Sequence, residues 1–250
     1  MLPVAREVFK SICVKLGYEF RRIDWTYDPN NSISRRDLCE QNREIVKRHF
    51  LQTKEAVLAL KKKYEKPIFG KIKMTNLLKL LGECVDPGDT RLGGVSQLTH
   101  LLQVAEAMEN DGVSDSDLLI AALTHDIGKV LLLTDEDPEN VICMNKPIGE
   151  YKKGIGLDNC FFQWNHDEFA YSRLKDYLPD HISWLIRYHS ILIPEAEPYM
   201  DQRDREYYEK YLILFRKYDQ DFKSVYRIPK KKLIDYADLI DSYFPKEIVI

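Results

Sequence analysis

Leu119-Ile120-Ala121-Ala122-Leu123-Thr124-His125-Asp126-Ile127-Gly128-Lys129 is the stretch that says most about this chain. An apolar helix runs directly into a His-Asp pair, which Gly128 and Lys129 follow. Adjacent helical residues point about 100° apart, so His125 and Asp126 can serve one site only if it lies against the helix end. There, one residue can bind one metal ion while its neighbour bridges two. The pair also fits a polar helix end that Gly128 stops and Lys129 stabilises, so the rest of the chain has to discriminate.

Composition and charge exclude several classes of protein. The chain has 250 residues, 44% hydrophobic and 31% charged, which is ordinary for a globular protein with a sizeable core. With 37 basic and 40 acidic residues the net charge is −3, so neither a nucleic acid nor a membrane surface is expected as a partner. No apolar run reaches the roughly 18 residues of a membrane span.

The cysteines and the first residues indicate the compartment. The five cysteines are widely spread and form no C-x-x-C pair, which favours reduced thiols over a disulfide framework or a thiolate metal site. The start of the chain carries charge too early for a secretory signal. We therefore expect a cytoplasmic protein, and we expect it to be a monomer.

Helical periodicity extends along almost the whole chain. Apolar residues recur at helical spacing, and no segment alternates as a half-buried strand does. The sequence predicts one long helix over about residues 36–63 and a last helix over about residues 229–243, beginning at Pro229. It also predicts irregular segments at residues 86–94 and 131–160. The predicted fold class is all-α, with residues 1–250 in a single domain.

Potential metal ligands collect at the ends of the predicted helices. Carboxylates and imidazoles without a thiolate suit iron, manganese, magnesium or a zinc pair. Six ligands are too many for one open catalytic metal but fit two metals that share a carboxylate. We interpret His49 as a surface or packing residue and His181 as exposed; the alternative, that all the histidines are unrelated, stays open. The six are His100, His125, Asp126, His166, His189 and Asp219.

The order of these residues resembles that of the HD-domain superfamily and, within it, of the myo-inositol oxygenase family. The resemblance implies a single HD-domain-like helical bundle with a five-helix metal-binding core. It covers residues 52–250, and residues 1–50 would form a divergent N-terminal lid. Four strings carry it: Thr124-His125-Asp126-Ile127-Gly128-Lys129-Val130, Trp164-Asn165-His166-Asp167-Glu168, Ile186-Arg187-Tyr188-His189-Ser190, and Phe215-Arg216-Lys217-Tyr218-Asp219 with Lys223 after it.

Two irons in a mixed-valent Fe(II)/Fe(III) state, with O₂ as co-substrate, are the cofactors that the resemblance implies. We expect the metals to lie about 3.5–4 Å apart. Asp126 would bridge them. The first iron would also take His100, His125 and Asp219, and the second would take His166 and His189.

A small polyol is the partner that the resemblance implies. Lys129 and Asp126 are expected to be catalytic, because ammonium groups beside a Lewis-acid metal favour the alkoxide form of a hydroxyl. The family also uses an arginine of its lid, for which Arg21, Arg22, Arg35 and Arg36 are candidates. The expected substrate contacts are Asp86, Asp89, Lys129, Ser190 and Lys223.

O₂-dependent ring cleavage of a cyclic polyol, myo-inositol to D-glucuronate in inositol catabolism, is the implied reaction. Two other activities stay open. A related di-iron oxygenase of the HD superfamily could cleave a hydroxyalkylphosphonate, since the loop after Lys129 is short and residues 142–145 match the family poorly. A metal-dependent HD phosphohydrolase would share the His-Asp pattern, although neither a Gly-rich phosphate loop nor an arginine cluster adjoins the ligands. A non-catalytic module is disfavoured because no ligand is missing.

Overall fold

α-Helices dominate the structure, a computed structural model that describes residues 35–89 and 95–250. The all-α prediction is confirmed. In the described part of the chain the α-helices are α1 (Arg35–Phe50), α2 (Lys54–Lys63), α3 (Met74–Leu80), α4 (Gln97–Asn110), α5 (Ser116–Thr124), α6 (His166–Leu174), α7 (Asp180–Tyr188), α8 (Ile193–Ala196), α9 (Gln202–Tyr207), α10 (Ile213–Asp221) and α11 (Ala237–Tyr243). Short 3₁₀ helices cover Ile127–Leu133, Pro138–Asn140, Leu157–Asn159, Glu197–Tyr199 and Leu233–Tyr236.

Helix α5 lies at the centre of the bundle. It packs against α4, α7, α10 and α11. Because it is enclosed on all sides, every residue from Leu118 to Thr124 is buried, which explains why the sequence of this helix is apolar all round. The His-Asp pair at its C-terminal end is therefore delivered into the interior of the protein. Within residues 35–89 and 95–250, no helix is long and apolar enough to cross a membrane.

A pair of two-residue strands fixes the C-terminal end of the chain. Strands β1 (Lys71–Ile72) and β2 (Ile248–Val249) pair antiparallel, with Lys71 opposite Val249. The last residue continues the pairing, since Ile250 donates its N–H to Gly70 O at 3.0 Å. No strand was predicted, because two residues are too few for alternation to be visible in a sequence.

The predicted long helix over residues 36–63 is wrong, because the chain breaks between α1 and α2. The side chain of Gln52 is held at the break: its Nε2 donates to Asn140 Oδ1 at 2.7 Å, and its Oε1 accepts from Trp164 N at 2.8 Å. Thr53 then caps α2 by accepting a hydrogen bond from Ala56 N. Contacts with distant parts of the chain thus override a continuous helical pattern.

The last two helical segments also differ from a regular α-helix. The prediction that the final helix begins at Pro229 is wrong, since a 3₁₀ turn starts at Leu233 and α11 only at Ala237. Helices α9 and α10 are joined without a break by a π-helical turn, Tyr208–Leu212. A π turn holds one more residue than an α turn and is frequent at functional sites.

The predicted N-terminal lid falls largely outside the described residues. Arg21 and Arg22 lie in residues 1–34, which are not described, and Arg35 and Arg36 open α1, of which only the backbone is described at these positions.

Candidate metal centre

His100, His125 and Asp126 enter the centre of the bundle from two helix ends. Ser96 starts α4 by accepting a hydrogen bond from the backbone three residues on (3.3 Å), which puts His100 in the first turn. His125 is the residue at which α5 ends. Directly after it the chain tightens into the 3₁₀ turn Ile127–Leu133, so Asp126 sits at the junction of two helix types.

His166, His189 and Asp219 reach the same place from three further helices. Asn165 caps α6 by accepting hydrogen bonds from the next two backbone N–H groups (3.1 and 3.3 Å), so His166 is the first helical residue. His189 lies where α7 ends, and Asp219 lies in the last turn of α10. None of the six predicted ligands is more than 3% exposed. The structure therefore brings all six together, carried by five helices.

Asp126 faces two pairs of histidines, one with each carboxylate oxygen. Its Oδ2 lies 3.6 Å from His100 Nε2 and 3.4 Å from His125 Nε2. Its Oδ1 lies 3.1 Å from His166 Nε2 and 3.5 Å from His189 Nε2. These are two sets of three ligand atoms within 4.8 Å of one another, and Asp126 belongs to both. A carboxylate in this position can bridge two metal ions.

Asp219 completes the first set. Its Oδ1 lies 3.0 Å from His100 Nε2 and 3.5 Å from His125 Nε2. Ligand atoms about 2.1 Å from one metal lie about 3.0 Å apart at right angles and about 3.4 Å apart in a tetrahedron. The nitrogen–oxygen distances in both sets are therefore those of atoms that share a metal.

Hydrogen bonds to the backbone fix which ring nitrogen faces the centre. The Nδ1 atoms of His125, His166 and His189 lie 3.1, 2.5 and 2.8 Å from carbonyl oxygens, to which they donate. This leaves Nε2 as the lone-pair nitrogen, the usual arrangement of metal-binding histidines. His125 Nε2 and Asp126 Oδ1 are buried and have no hydrogen-bond partner. Lone pairs that face each other in a dry interior need a cation between them, so the residues fit a metal pair.

Carboxylate charge dominates the electrostatics of the centre. Burial opposes a charge on His125, yet Asp126 and Asp219 raise the pKa of His125 to about 9. Burial likewise opposes a charge on His166, but Asp167 and Asp126 raise the pKa of His166 to about 10. Burial prevails only at His100, whose pKa is lowered to about 4. Nitrogens held in so negative an environment attract metal cations as well as protons.

Gly128 allows the two ligand sets to approach each other. Its φ is not positive, so another residue could adopt its backbone conformation. A Cβ at this position, however, would lie 2.0 Å from the carbonyl oxygen of His166 and 2.8 Å from its Cα. The 3₁₀ turn after Asp126 thus lies directly on the start of α6, and only a glycine leaves room for this contact.

Each of two buried lysines joins a ligand aspartate to the loop at residues 86–89. Lys129 Nζ lies 3.0 Å from Asp126 Oδ2 and 2.8 Å from Asp86 Oδ2. Lys223 Nζ lies 3.3 Å from Asp219 Oδ1 and 3.0 Å from Asp89 Oδ2. The centre and the loop are therefore held together by two ammonium groups.

A cavity of about 440 Å³ opens onto the centre, a size that suits a small organic ligand. All five predicted substrate contacts line it, as do the apolar side chains of Ile142 and Met144. Ser190 is oriented by a hydrogen bond that its Oγ donates to Asp167 Oδ2 at 2.5 Å. The five are Asp86, Asp89, Lys129, Ser190 and Lys223.

Two residues of the site had no predicted role. Asp167 is fully buried, with its Oδ1 2.9 Å from His166 Nε2. Arg216 lines the cavity one turn before Asp219. A helical face at spacings of three and four residues would have revealed the second of these, because Arg216, Asp219 and Lys223 share it.

The two remaining histidines lie apart from the ligand sets. His49 is buried, with Nδ1 2.7 Å from Glu139 O, as expected of a packing residue. The prediction that His181 is exposed is wrong. Its ring stacks on Tyr211 and its Nε2 lies 2.9 Å from Asp117 Oδ2, so the side chain is half-buried.

Comparison with known proteins identifies the family. The family model described as myo-inositol oxygenase matches residues 40–143 and 135–250. The chain belongs to the myo-inositol oxygenase family. It is 31% identical to inositol oxygenase 1 of Arabidopsis thaliana over 80% of this chain and 76% of the relative. It is 31% identical to inositol oxygenase 2 of the same plant over 93% and 83%, and 28% identical to inositol oxygenase of Dictyostelium discoideum over 80% and 82%. The myo-inositol oxygenase match includes both ligand sets and both lysines.

Proposed function

We propose that this protein opens the ring of myo-inositol with O₂ to give D-glucuronate. The observation that carries the proposal is the cavity in which a family match to myo-inositol oxygenase coincides with a shared carboxylate and two ammonium groups. The reaction breaks one carbon–carbon bond. One of its carbons becomes a carboxylate and the other an aldehyde, and the four electrons removed reduce O₂, with one oxygen atom entering the product and one leaving as water.

The proposed cofactor is a pair of irons in the Fe(II)/Fe(III) state. His100, His125, Asp126 and Asp219 would hold one iron, and His166, His189 and the shared Asp126 the other. Bound there, iron would supply Lewis acidity and the electron transfer to O₂ that redox-inert zinc lacks. The support from this chain is the oxygen and nitrogen donor set and the orphaned lone pairs of His125 and Asp126.

The two lysines act as fixed cations. Burial disfavours their charge, but Asp126 and Asp86 raise the pKa of Lys129, and Asp219 and Asp89 raise the pKa of Lys223. Both therefore keep their protons at neutral pH. An ammonium group that stays protonated cannot remove a proton from the substrate. Instead it stabilises a hydroxyl that is losing its proton, by donating a hydrogen bond to the oxygen.

Carboxylates and a hydroxyl of the cavity orient the polyol. Asp86 and Asp89 offer acceptor oxygens to substrate hydroxyls, and each is held in place by a lysine. Ser190 is aligned by Asp167, so its oxygen faces the cavity with its own proton already committed. A neutral, many-hydroxyl ring suits such a mixture of donors and acceptors better than an apolar ligand does.

A single-domain monomer in the cytoplasm, acting on a small polyol and on neither nucleic acid nor membrane, is the form we propose for the working protein. The family match from residue 40 to residue 250 supports one functional unit. The comparisons favour neither of the other two activities, because the family model and the relatives carry the name of inositol oxygenase.

Oxygen uptake by the iron-loaded protein tests the proposal. We expect uptake with myo-inositol and formation of D-glucuronate in equal amounts, and none when zinc replaces iron. A hydroxyalkylphosphonate and a phosphoester serve as competing substrates. Uptake with the phosphonate but with no inositol isomer would overturn the proposal, as would release of phosphate from the phosphoester without O₂.

A further inference from the structure

Arg216 is a third cation of the cavity, and its environment differs from that of the two lysines. It lies on α10, one turn before Asp219. Its Nε donates to His189 O at 2.7 Å, and its Nη2 donates to Ile191 O at 2.5 Å. Both acceptors are neutral backbone carbonyls, so these hydrogen bonds orient the guanidinium without cancelling its charge.

The lysines, in contrast, are each balanced by two carboxylates. Lys129 contacts Asp126 and Asp86, and Lys223 contacts Asp219 and Asp89. In the part of the chain that the structure describes, no carboxylate forms a salt bridge with Arg216. Burial lowers the pKa of Arg216 below its ordinary value, which is the direction expected of a cation that lacks a partner of opposite charge. A partly buried cation of this kind is a site for an anion.

The proposed reaction creates such an anion. Its substrate is neutral, and ring opening turns one of its carbons into a carboxylate inside the cavity. A guanidinium has five N–H donors in a planar fork that matches a carboxylate, and the two backbone carbonyls use only part of this capacity. We propose that Arg216 binds the carboxylate group that ring opening forms. This role rests on the proposed function and makes Arg216 a product-binding residue.

The pair D-glucuronate and D-glucuronamide tests this role, because the two differ only in the charge of one group. We would measure the dissociation constant of each for the iron-loaded protein without O₂. The ratio of the two constants reports the contribution of the negative charge and does not depend on the fraction of damaged protein. A charge-assisted hydrogen bond predicts that glucuronate binds at least about tenfold more tightly than the amide. Equal binding by the unmodified protein overturns the proposal.

Three variants show whether Arg216 is responsible. Arg216→Gln can still donate one hydrogen bond to His189 O but has no charge, so we expect the preference for glucuronate to disappear. Lys217→Gln is the matched control: it removes the neighbouring cation, which lies on the exposed side of α10 and pairs with Asp111. Its ratio should equal that of the unmodified protein. An unchanged ratio in Arg216→Gln with two irons bound overturns the proposal.

Arg216→Lys decides the case in which the glutamine variant loses its irons. One ammonium group cannot hold both backbone carbonyls and a carboxylate as the guanidinium does, so the ratio must fall below that of the unmodified protein. Failure of the underlying reaction gives a different pattern. Arg216-dependent binding of a hydroxyalkylphosphonate, with no O₂ uptake on inositol, overturns both proposals; equal binding of glucuronate and its amide with normal turnover overturns only this one.

Discussion

Adding one methyl group at Gly128 should separate the two ligand sets. The Cβ of an alanine there would lie 2.0 Å from His166 O, whereas an ordinary carbon–oxygen contact is about 3.3 Å. The 3₁₀ turn and α6 would therefore have to move apart by about 1.3 Å, the difference between these two distances. Since Asp126 Oδ1 and His166 Nε2 are now 3.1 Å apart, that movement takes them beyond 4 Å, out of the range of neighbouring ligands on one metal.

The expected loss for Gly128→Ala is large in both stability and metal binding. Overpacking typically costs about 1–3 kcal/mol, and here the upper end applies because the obstacle is backbone and cannot rotate away. For a chain of this size about 3 kcal/mol lowers Tm by roughly 6–12 °C. Displacing a ligand by about 1 Å should weaken binding of the second metal by about 100-fold. Differential scanning calorimetry and metal analysis after gel filtration measure the two effects.

Gly112→Ala is the control for this substitution. Gly112 has a φ of +84° and no atom within 4 Å of the new Cβ, so the methyl group brings only backbone strain. That strain is about 1 kcal/mol, which lowers Tm by roughly 2–4 °C and leaves both metals bound. The reasoning is refuted if Gly128→Ala retains two metals per chain and melts no lower than the control.

Three further predictions concern the centre and the buried thiols. Asp126→Ala should lose both metals, because one oxygen of Asp126 faces each ligand set, whereas His181→Ala should keep both; metal content per chain measures this, and two metals in the Asp126 variant would show that it is no bridge. Lys129→Met should lower kcat at least about tenfold with two metals still bound, and loss of metal instead would assign Lys129 to the centre itself. Burial raises the pKa of three thiols to about 12, 12 and 11, so almost none is thiolate at pH 8 and site-resolved alkylation of the folded protein should be slow; fast labelling would contradict the burial of Cys84, Cys143 and Cys160.

The ligands could be predicted from the sequence because they lie at helix ends. Helix ends leave local signals, such as Ser96 before His100 or Asn165 before His166, and imidazole and carboxylate side chains are uncommon next to apolar helical stripes. The same order of residues resembles a family, which the comparisons then identified. Spacing alone could not have shown that both oxygens of Asp126 are used.

Features that depend on distant contacts could not be predicted. The break at Gln52 results from hydrogen bonds to Asn140 and Trp164, residues 88 and 112 positions away. His181 looks exposed in its own helix, but Asp117 and Tyr211 cover it. In each case the local pattern is compatible with the prediction, and a partner from elsewhere in the chain decides the outcome.

The π turn between α9 and α10 makes chain length at residues 208–212 as restrictive as the identity of the ligands. Removing one residue there would restore a regular α-helix, which by itself is the more comfortable backbone. Every residue beyond the deletion would then rotate by about 100° around the helix axis. Arg216, Asp219 and Lys223 would all turn away from the cavity together, although none of them had been changed. Insertions and deletions at this turn would therefore inactivate the protein while leaving the sequence of its site intact.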